Sequence, residues 1–247
     1  IANQKGGVGK TTTSVNLSAG LAYLGKKTLL IDIDPQGNAS SGVGINKREI
    51  EGCIYDVLID DESIKAYIHE TKMENLSIVP ATISLAGAEI ELVSAISREV
   101  RLRRALDEIK NDYDFIIIDC PPSLGLLTIN ALTASDGVLI PVQCEYYALE
   151  GLSQLLSTVR LVQKHLNKDL VIEGVLLTML DARTNLGLQV IEEVKKYFRD
   201  KVYKTIIPRN VRLSEAPSHG KPIILYDAKS RGSETYLELA REVIKNG

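Results

Sequence analysis

The chain has 247 residues, 45% of them apolar, with 29 basic and 32 acidic side chains for a formal charge of −3. A single core of that size buries roughly 70 to 75% of the extended chain's surface, so neither a disulfide nor a structural metal is needed. Three scattered cysteines (Cys53, Cys120, Cys144), histidines with no HExxH or CxxC beside them, and no run of about 18 apolar residues argue against a disulfide framework, a zinc hydrolase and a spanning helix.

The cysteine usage predicts a reducing, cytosolic compartment. Ile1, not Met, stands first and runs straight into a glycine-rich turn, which predicts a start partway along a first strand with a few residues missing upstream. A helix is expected over residues 12–24, closed by Gly25 as its C-cap, followed by a strand over 28–33. Residues 46–74 are the most charged and least regular part and read as a peripheral helical excursion. Further strands are expected over 76–79, 115–118, 138–142, 171–177 and 202–207, and further helices over 98–110, 125–134, 148–165, 188–198 and 233–244. The strands are continuous apolar runs, which a sheet covered by helices on both faces requires. The expected fold is doubly wound α/β with a mostly parallel sheet. With no repeat, low-complexity tract or Pro/Ser-rich linker, residues 1–247 read as one domain.

Between the first strand and the first helix lies Lys5-Gly6-Gly7-Val8-Gly9-Lys10-Thr11-Thr12. Successive backbone N–H groups and a helix N-terminus in that setting can surround a polyphosphate. The glycines let the main chain approach the oxygens, Lys10 reaches the β and γ phosphates, and the Thr11 hydroxyl can ligate Mg²⁺. The pattern G-x-x-x-x-G-K-[ST] is broken, because Gln4 stands where its first glycine belongs and a second lysine, Lys5, follows. ATP carries roughly four negative charges against three positive from Mg²⁺ and one lysine, so a second lysine would complete neutralisation. At the front of the loop, Lys5 could face outward across a partner subunit's nucleotide.

Two further segments place carboxylates at the C-terminal ends of strands, where ligands bind in open α/β sheets. Leu29-Leu30-Ile31-Asp32-Ile33-Asp34-Pro35-Gln36-Gly37-Asn38 is one, and Phe115-Ile116-Ile117-Ile118-Asp119, followed by Cys120-Pro121-Pro122-Ser123, is the other. Asp119 would hold Mg²⁺ through a water, with the two prolines stiffening the turn behind it. Asp34, in a Pro/Gly loop, is the candidate that orients the attacking water. The bland alternative is that Asp32 and Asp34 only cap the next helix.

KGGVGKTT, DIDPQGN and IIIDCPPSLG together resemble the deviant Walker A ATPases of the ParA/MinD family, and the similarity to its chromosomal ParA members of the Soj type runs along essentially the whole chain. PVQCEYYALEGL (residues 141–152), TMLDART (178–184) and IPRNVRLSEAPSHGKPI (207–223) are similar to that subgroup in particular. The resemblance implies an ATP-dependent sandwich dimer with Lys5 acting in trans, slow hydrolysis of ATP to ADP involving Asp34, and stimulation by a ParB-type partner. It also implies an adenine site at Pro208 and Asn210, DNA binding without sequence preference through Arg183 and Arg212, and a nucleoid-associated cytoplasmic location. The N-terminal helix-turn-helix domain of longer plasmid relatives does not appear in this sequence, so operator-specific repression is not expected.

Charge alone speaks more weakly for DNA. Residues 182–231 hold eleven Lys/Arg against five acids, a local +6 that leaves −9 elsewhere. Such a segment can face a phosphate backbone or be a solvated surface. With no Trp and two Phe, duplex backbone contacts are favoured over stacking on single strands. Two rival functions share the cradle. A MinD-like membrane ATPase would need a basic amphipathic C-terminal extension, whereas Tyr236, Leu237, Ala240, Val243 and Ile244 read as the apolar face of a packed last helix. A small-molecule ligase would need a substrate pocket but no lysine acting in trans.

Overall fold

A computed structural model describes residues 1–145, 152–181 and 185–246, with the backbone alone at 185–186. In chain order the helices and strands are α1 (Lys10–Tyr23), β1 (Thr28–Asp32), α2 (Asn38–Gly42), α3 (Ile54–Ile59), β2 (His69–Glu70), β3 (Leu76–Val79), α4 (Leu85–Glu91) and α5 (Arg101–Asp107). There follow β4 (Phe115–Asp119), α6 (Leu126–Ala134), β5 (Gly137–Gln143), α7 (Leu152–His165), β6 (Val171–Thr178) and α8 (Asn185–Phe198). The last three helices are α9 (Val211–Glu215), α10 (Ile223–Tyr226) and α11 (Arg231–Asn246).

Strands β2-β3-β1-β4 form one ladder, parallel except for the antiparallel edge strand β2, and β5 pairs parallel with β6. Residues 1–3 join the two. The Ile1 nitrogen donates to Ile118 O at 2.7 Å, Cys120 N–H donates to Ile1 O, and Ala2 N–H donates to Leu139 O. The strands alternate their apolar side chains between two covering layers. Leu29, Ile31, Ile140 and Leu177 pack with α3 to α8, whereas Leu30, Leu139 and Leu176 pack on the side of α1, α10 and α11. This is the doubly wound arrangement expected from continuous apolar runs.

Helix α1 ends where Gly25 adopts φ +80° and donates its N–H to Ala22 O, the cap its sequence predicts. Its partner is α11. The two pack tightly at Gly20, where a Cβ would stand 3.0 Å from the Ala240 Cβ and 3.2 Å from Tyr236 O. Tyr236, Ala240 and Val243 are buried there, together with Leu239, so the last helix is a packed one. Among the described residues no helix is long and apolar enough to cross a membrane.

Two expectations need correction, and a third falls partly outside the described residues. Residues 46–74 are not peripheral, because Ile54, Leu58 and Ile64 are fully buried in the main core and β2 extends the sheet. Residues 202–207 do not form a strand. Tyr203 and Ile207 N–H groups donate to Val175 and Leu177, but the intervening N–H groups of Lys204 and Thr205 turn to the Glu242 carboxylate on α11, at 2.8 and 3.0 Å, and interrupt the ladder. The helix expected over 148–165 is described only from Leu152, and residues 148–151 lie outside the described residues.

Candidate active site

The cradle is a turn between residues 1–3 and α1. Gly7 and Gly9 adopt φ +74° and +88°, conformations that a side chain would strain. The loop is tied to the β5–β6 ladder at both ends. Asn3 Nδ2 donates to Pro141 O on β5 at 2.7 Å, and Thr178 Oγ1 at the end of β6 donates to Val8 O at 2.9 Å. No acid occupies the first turn of α1, which leaves the positive end of its dipole to Thr11, Thr12 and an incoming anion.

Lys10 is 6% exposed, and its Nζ donates to Lys5 O at 2.9 Å. Burial lowers its pKa from the usual lysine value, opposed chiefly by the negative charge of Asp119. Lys5 behaves differently. Its backbone is fixed on both sides, since its N–H donates to Asn3 Oδ1 at 3.0 Å, yet its ammonium forms no ion pair among the described residues and the side chain is half-buried at the mouth of the loop. Gly6 and Gly7 beside it are exposed.

Behind the loop, Asp119 is fully buried and Ser14 Oγ donates to its Oδ1 at 2.8 Å, while Oδ2 has no hydrogen-bond partner among the described residues. A buried carboxylate oxygen without a donor calls for a cation or a water. Burial pushes Asp119 up to about 6, and the Thr11 and Ser14 hydroxyls oppose the rise. The Thr11 hydroxyl and the Asp119 carboxylate are oxygen donors of the kind Mg²⁺ takes, so the residues present fit that ion.

Asp34 lies in a tight turn at 7% exposure. Its Oδ1 accepts the Gln36 N–H at 2.9 Å and its carbonyl accepts the Gly37 N–H at 2.8 Å. Gly37, at φ +61°, has no room for a side chain, because a Cβ would stand 2.6 Å from Ala81 O. Asp32 does what the bland alternative proposed for both carboxylates. It is fully buried, its Oδ1 accepts the Asp34 N–H, and its Oδ2 accepts the backbone N–H and hydroxyl of Ser40, both at 2.8 Å. Asp32 therefore shapes the loop that carries Asp34.

The other expected residues gather less completely. Pro208 forms a parallel bridge with Leu180, just beyond β6, which brings the 207–210 segment alongside the strand that ends on the cradle. Asn210 caps α9, its Oδ1 accepting N–H groups of Arg212 and Leu213, so only its amide nitrogen is left for a base. The Arg212 side chain is 55% exposed and pairs with Glu215 at 2.9 Å and Asp227 at 3.5 Å. Arg209 and Arg231 also pair with acids, so the local positive charge is less free than the sequence count suggests. Arg183 lies outside the described residues. Sequence inspection missed Asn3, Ser14, Ser40 and Thr178. Asn3, Ser14 and Ser40 stand beside a motif and Thr178 opens one, but the roles of Asn3, Ser14 and Thr178 depend on partners over a hundred residues away.

The chain is similar to known proteins along its whole length. Residues 1–172 match the family described as AAA domain (AAA_31). The chain is 78% identical over its full length to the sporulation initiation inhibitor protein Soj of Bacillus subtilis, covering 98% of that protein. It is 61% identical to the chromosome partitioning protein ParA of Myxococcus xanthus over 99% of the chain and 87% of that protein. The chain belongs to the Soj/ParA family of P-loop ATPases. Solved structures extend the likeness to bound ligands. A Mycobacterium smegmatis structure described as cobyrinic acid a,c-diamide synthase, with ADP and magnesium, shares 38% identity at TM-score 0.87 over 99% of this chain and 92% of that one. The septum site-determining protein MinD of Pyrococcus horikoshii with Mg-ADP shares 27% identity at TM-score 0.82 over 99% and 94%. Like its Soj/ParA relatives, the protein is an ATPase that uses ATP or ADP with Mg²⁺.

Proposed function

We propose that residues 1–247 form one ATPase unit that partitions chromosomes or plasmids as a nucleotide-gated switch. ATP and Mg²⁺ join two copies face to face, the pair binds duplex DNA without sequence preference, and hydrolysis stimulated by a ParB-type protein releases it. Support comes from the identity to Soj and ParA proteins along the whole chain. The observation that carries the switch is the contrast between the two lysines: Lys10 is buried and turned inward, whereas the half-buried Lys5 has no side-chain partner among the described residues.

In this scheme the backbone N–H groups of residues 6–12 and Lys10 hold the phosphates, and Lys5 of the opposite copy supplies the remaining positive charge. Mg²⁺, held by Thr11 and Asp119, would neutralise charge on the β and γ oxygens. Asp34 orients the water, and Pro208 with the Asn210 amide flanks the adenine. Phosphoryl transfer asks mainly for positioning and charge stabilisation, so slow turnover suits a timer. Arg183 and Arg212 from two joined copies would contact the DNA backbone, each weakly, so that DNA affinity follows pairing through avidity. The deciding experiment measures ATP hydrolysis alone, with duplex DNA, and with duplex DNA plus a ParB-type protein. Stimulation only in the last mixture is expected, and a rate unchanged by both additions would reject the switch.

A further inference from the structure

We infer that Asn3 is a positioning residue for the lysine that crosses between copies: it aims Lys5 by holding the Lys5 backbone against β5. The inference rests on the ATP-joined pair proposed above. Asn3 is 4% exposed, and both ends of its amide are committed. The Oδ1 accepts the Lys5 N–H at 3.0 Å and closes an Asx-type turn, while Nδ2 donates to Pro141 O at 2.7 Å across 138 residues of sequence. The Lys5 carbonyl is fixed as well, by the Lys10 ammonium. One peptide unit on either side of the Lys5 Cα is thus anchored, and the direction in which its Cβ leaves the loop is set. A long, unpaired side chain that must reach a phosphate on another polypeptide depends on that direction more than one that works within its own loop.

The far end of the cradle provides a contrast. Thr178 holds Val8 from the paired strand β6, and Pro141 and Thr178 belong to the same β5–β6 ladder, in which Pro141 pairs with Leu176 and Gln143 with Thr178. Loosening the Thr178 tie disturbs the N–H groups that face the copy's own phosphates. Loosening the Asn3 tie disturbs Lys5 first, because the Lys10 side chain and the dipole of α1 remain in place.

Two constants are measured for each variant: affinity of the single copy for a fluorescent ADP, and the pairing constant with ATP and Mg²⁺ by light scattering. Asn3→Ala should weaken pairing about tenfold or more, as misplacement of a group by an ångström does, while ADP affinity changes by less than about threefold. Asn3→Ser keeps an acceptor for the Lys5 N–H but loses Pro141, so it should lie between wild type and Asn3→Ala, and it carries the test should Asn3→Ala fail to fold. Thr178→Val should weaken ADP binding and pairing together.

Pairing unchanged in both Asn3 variants, or lost in proportion to ADP affinity, would overturn the role of Asn3. Should Lys5→Ala abolish pairing while Asn3→Ala and Asn3→Ser pair as wild type, only the positioning role falls. A wild-type protein that stays single with ATP, or a Lys5→Ala variant that pairs normally, removes the pair itself and Asn3's role with it.

Discussion

Asp32 and Asp119 stand directly opposite one another in parallel register at the ends of β1 and β4, both fully buried, and neither forms an ion pair among the described residues. Burial first, then the like charge of Asp119, pushes Asp32 up to about 7, and burial pushes Asp119 up to about 6. Asp119 is tied to α1 through Ser14 and Asp32 holds the loop that carries Asp34, and burying the two carboxylates side by side costs the nucleotide-free fold stability.

That cost is pH-dependent. In the unfolded chain both groups titrate near about 4, so between that value and about 7 the native state holds the extra protons. The stability they allow is greatest at the acidic end of this window and is lost as pH rises through about 6 to 7. Melting temperatures of the nucleotide-free protein, measured from pH 5.5 to 7.5, should therefore fall more steeply with pH in wild type than in Asp32→Asn. Parallel slopes in the two proteins would contradict it.

Lys10→Ala removes the buried ammonium from the loop. Charge-assisted hydrogen bonds contribute about 1.5 to 3 kcal/mol each, so ADP affinity should drop about a hundredfold in an equilibrium titration. Affinity within a few-fold of wild type would mean that the backbone N–H groups alone hold the phosphates.

Asp34→Ala should bind ATP normally and hydrolyse it about 10² to 10⁴ times more slowly, the range for loss of a group that positions or deprotonates the nucleophile. The variant should accumulate in its ATP-bound form. Single-turnover hydrolysis at the wild-type rate would assign the water to another residue.

Much of this could be read from the chain itself, for definite reasons. Residues 28–33, 76–79, 115–118, 138–142 and 171–177 are apolar on consecutive positions because both faces of each strand are covered, and the structure has strands at all five. The same composition at 202–207 misled, because Glu242, 38 residues beyond Lys204, captures the two N–H groups that a ladder would need. The short helices α2 and α4 carried no helical period long enough to see. The cradle, Asp34 and Asp119 are visible because each is a contiguous motif. Asn3, Ser40 and Thr178 are not, because each acts through a hydrogen bond with a backbone group far along the chain: Asn3 donates to Pro141 O, Ser40 Oγ accepts the Ala81 N–H, and Thr178 donates to Val8 O.

DNA binding should be electrostatic. Arg212 is exposed, and its pairs with Glu215 and Asp227 are surface pairs of little strength, so a phosphate can replace them. With ATP present, Arg212→Ala should lower the slope of log affinity against log salt by about 1 for each phosphate no longer neutralised, with no change in sequence preference. Binding that keeps its salt dependence in Arg183→Glu with Arg212→Glu would move the DNA surface elsewhere.

The central claim concerns Lys5 and is tested most directly by weighing the protein in solution. Light scattering is applied to Asp34→Ala, and to the same variant with Lys5→Ala, each saturated with ATP and Mg²⁺. The expected masses are twice the 27.1 kDa chain for the first and a single chain for the second. Equal masses for the two variants would contradict the claim that Lys5 acts across the pair.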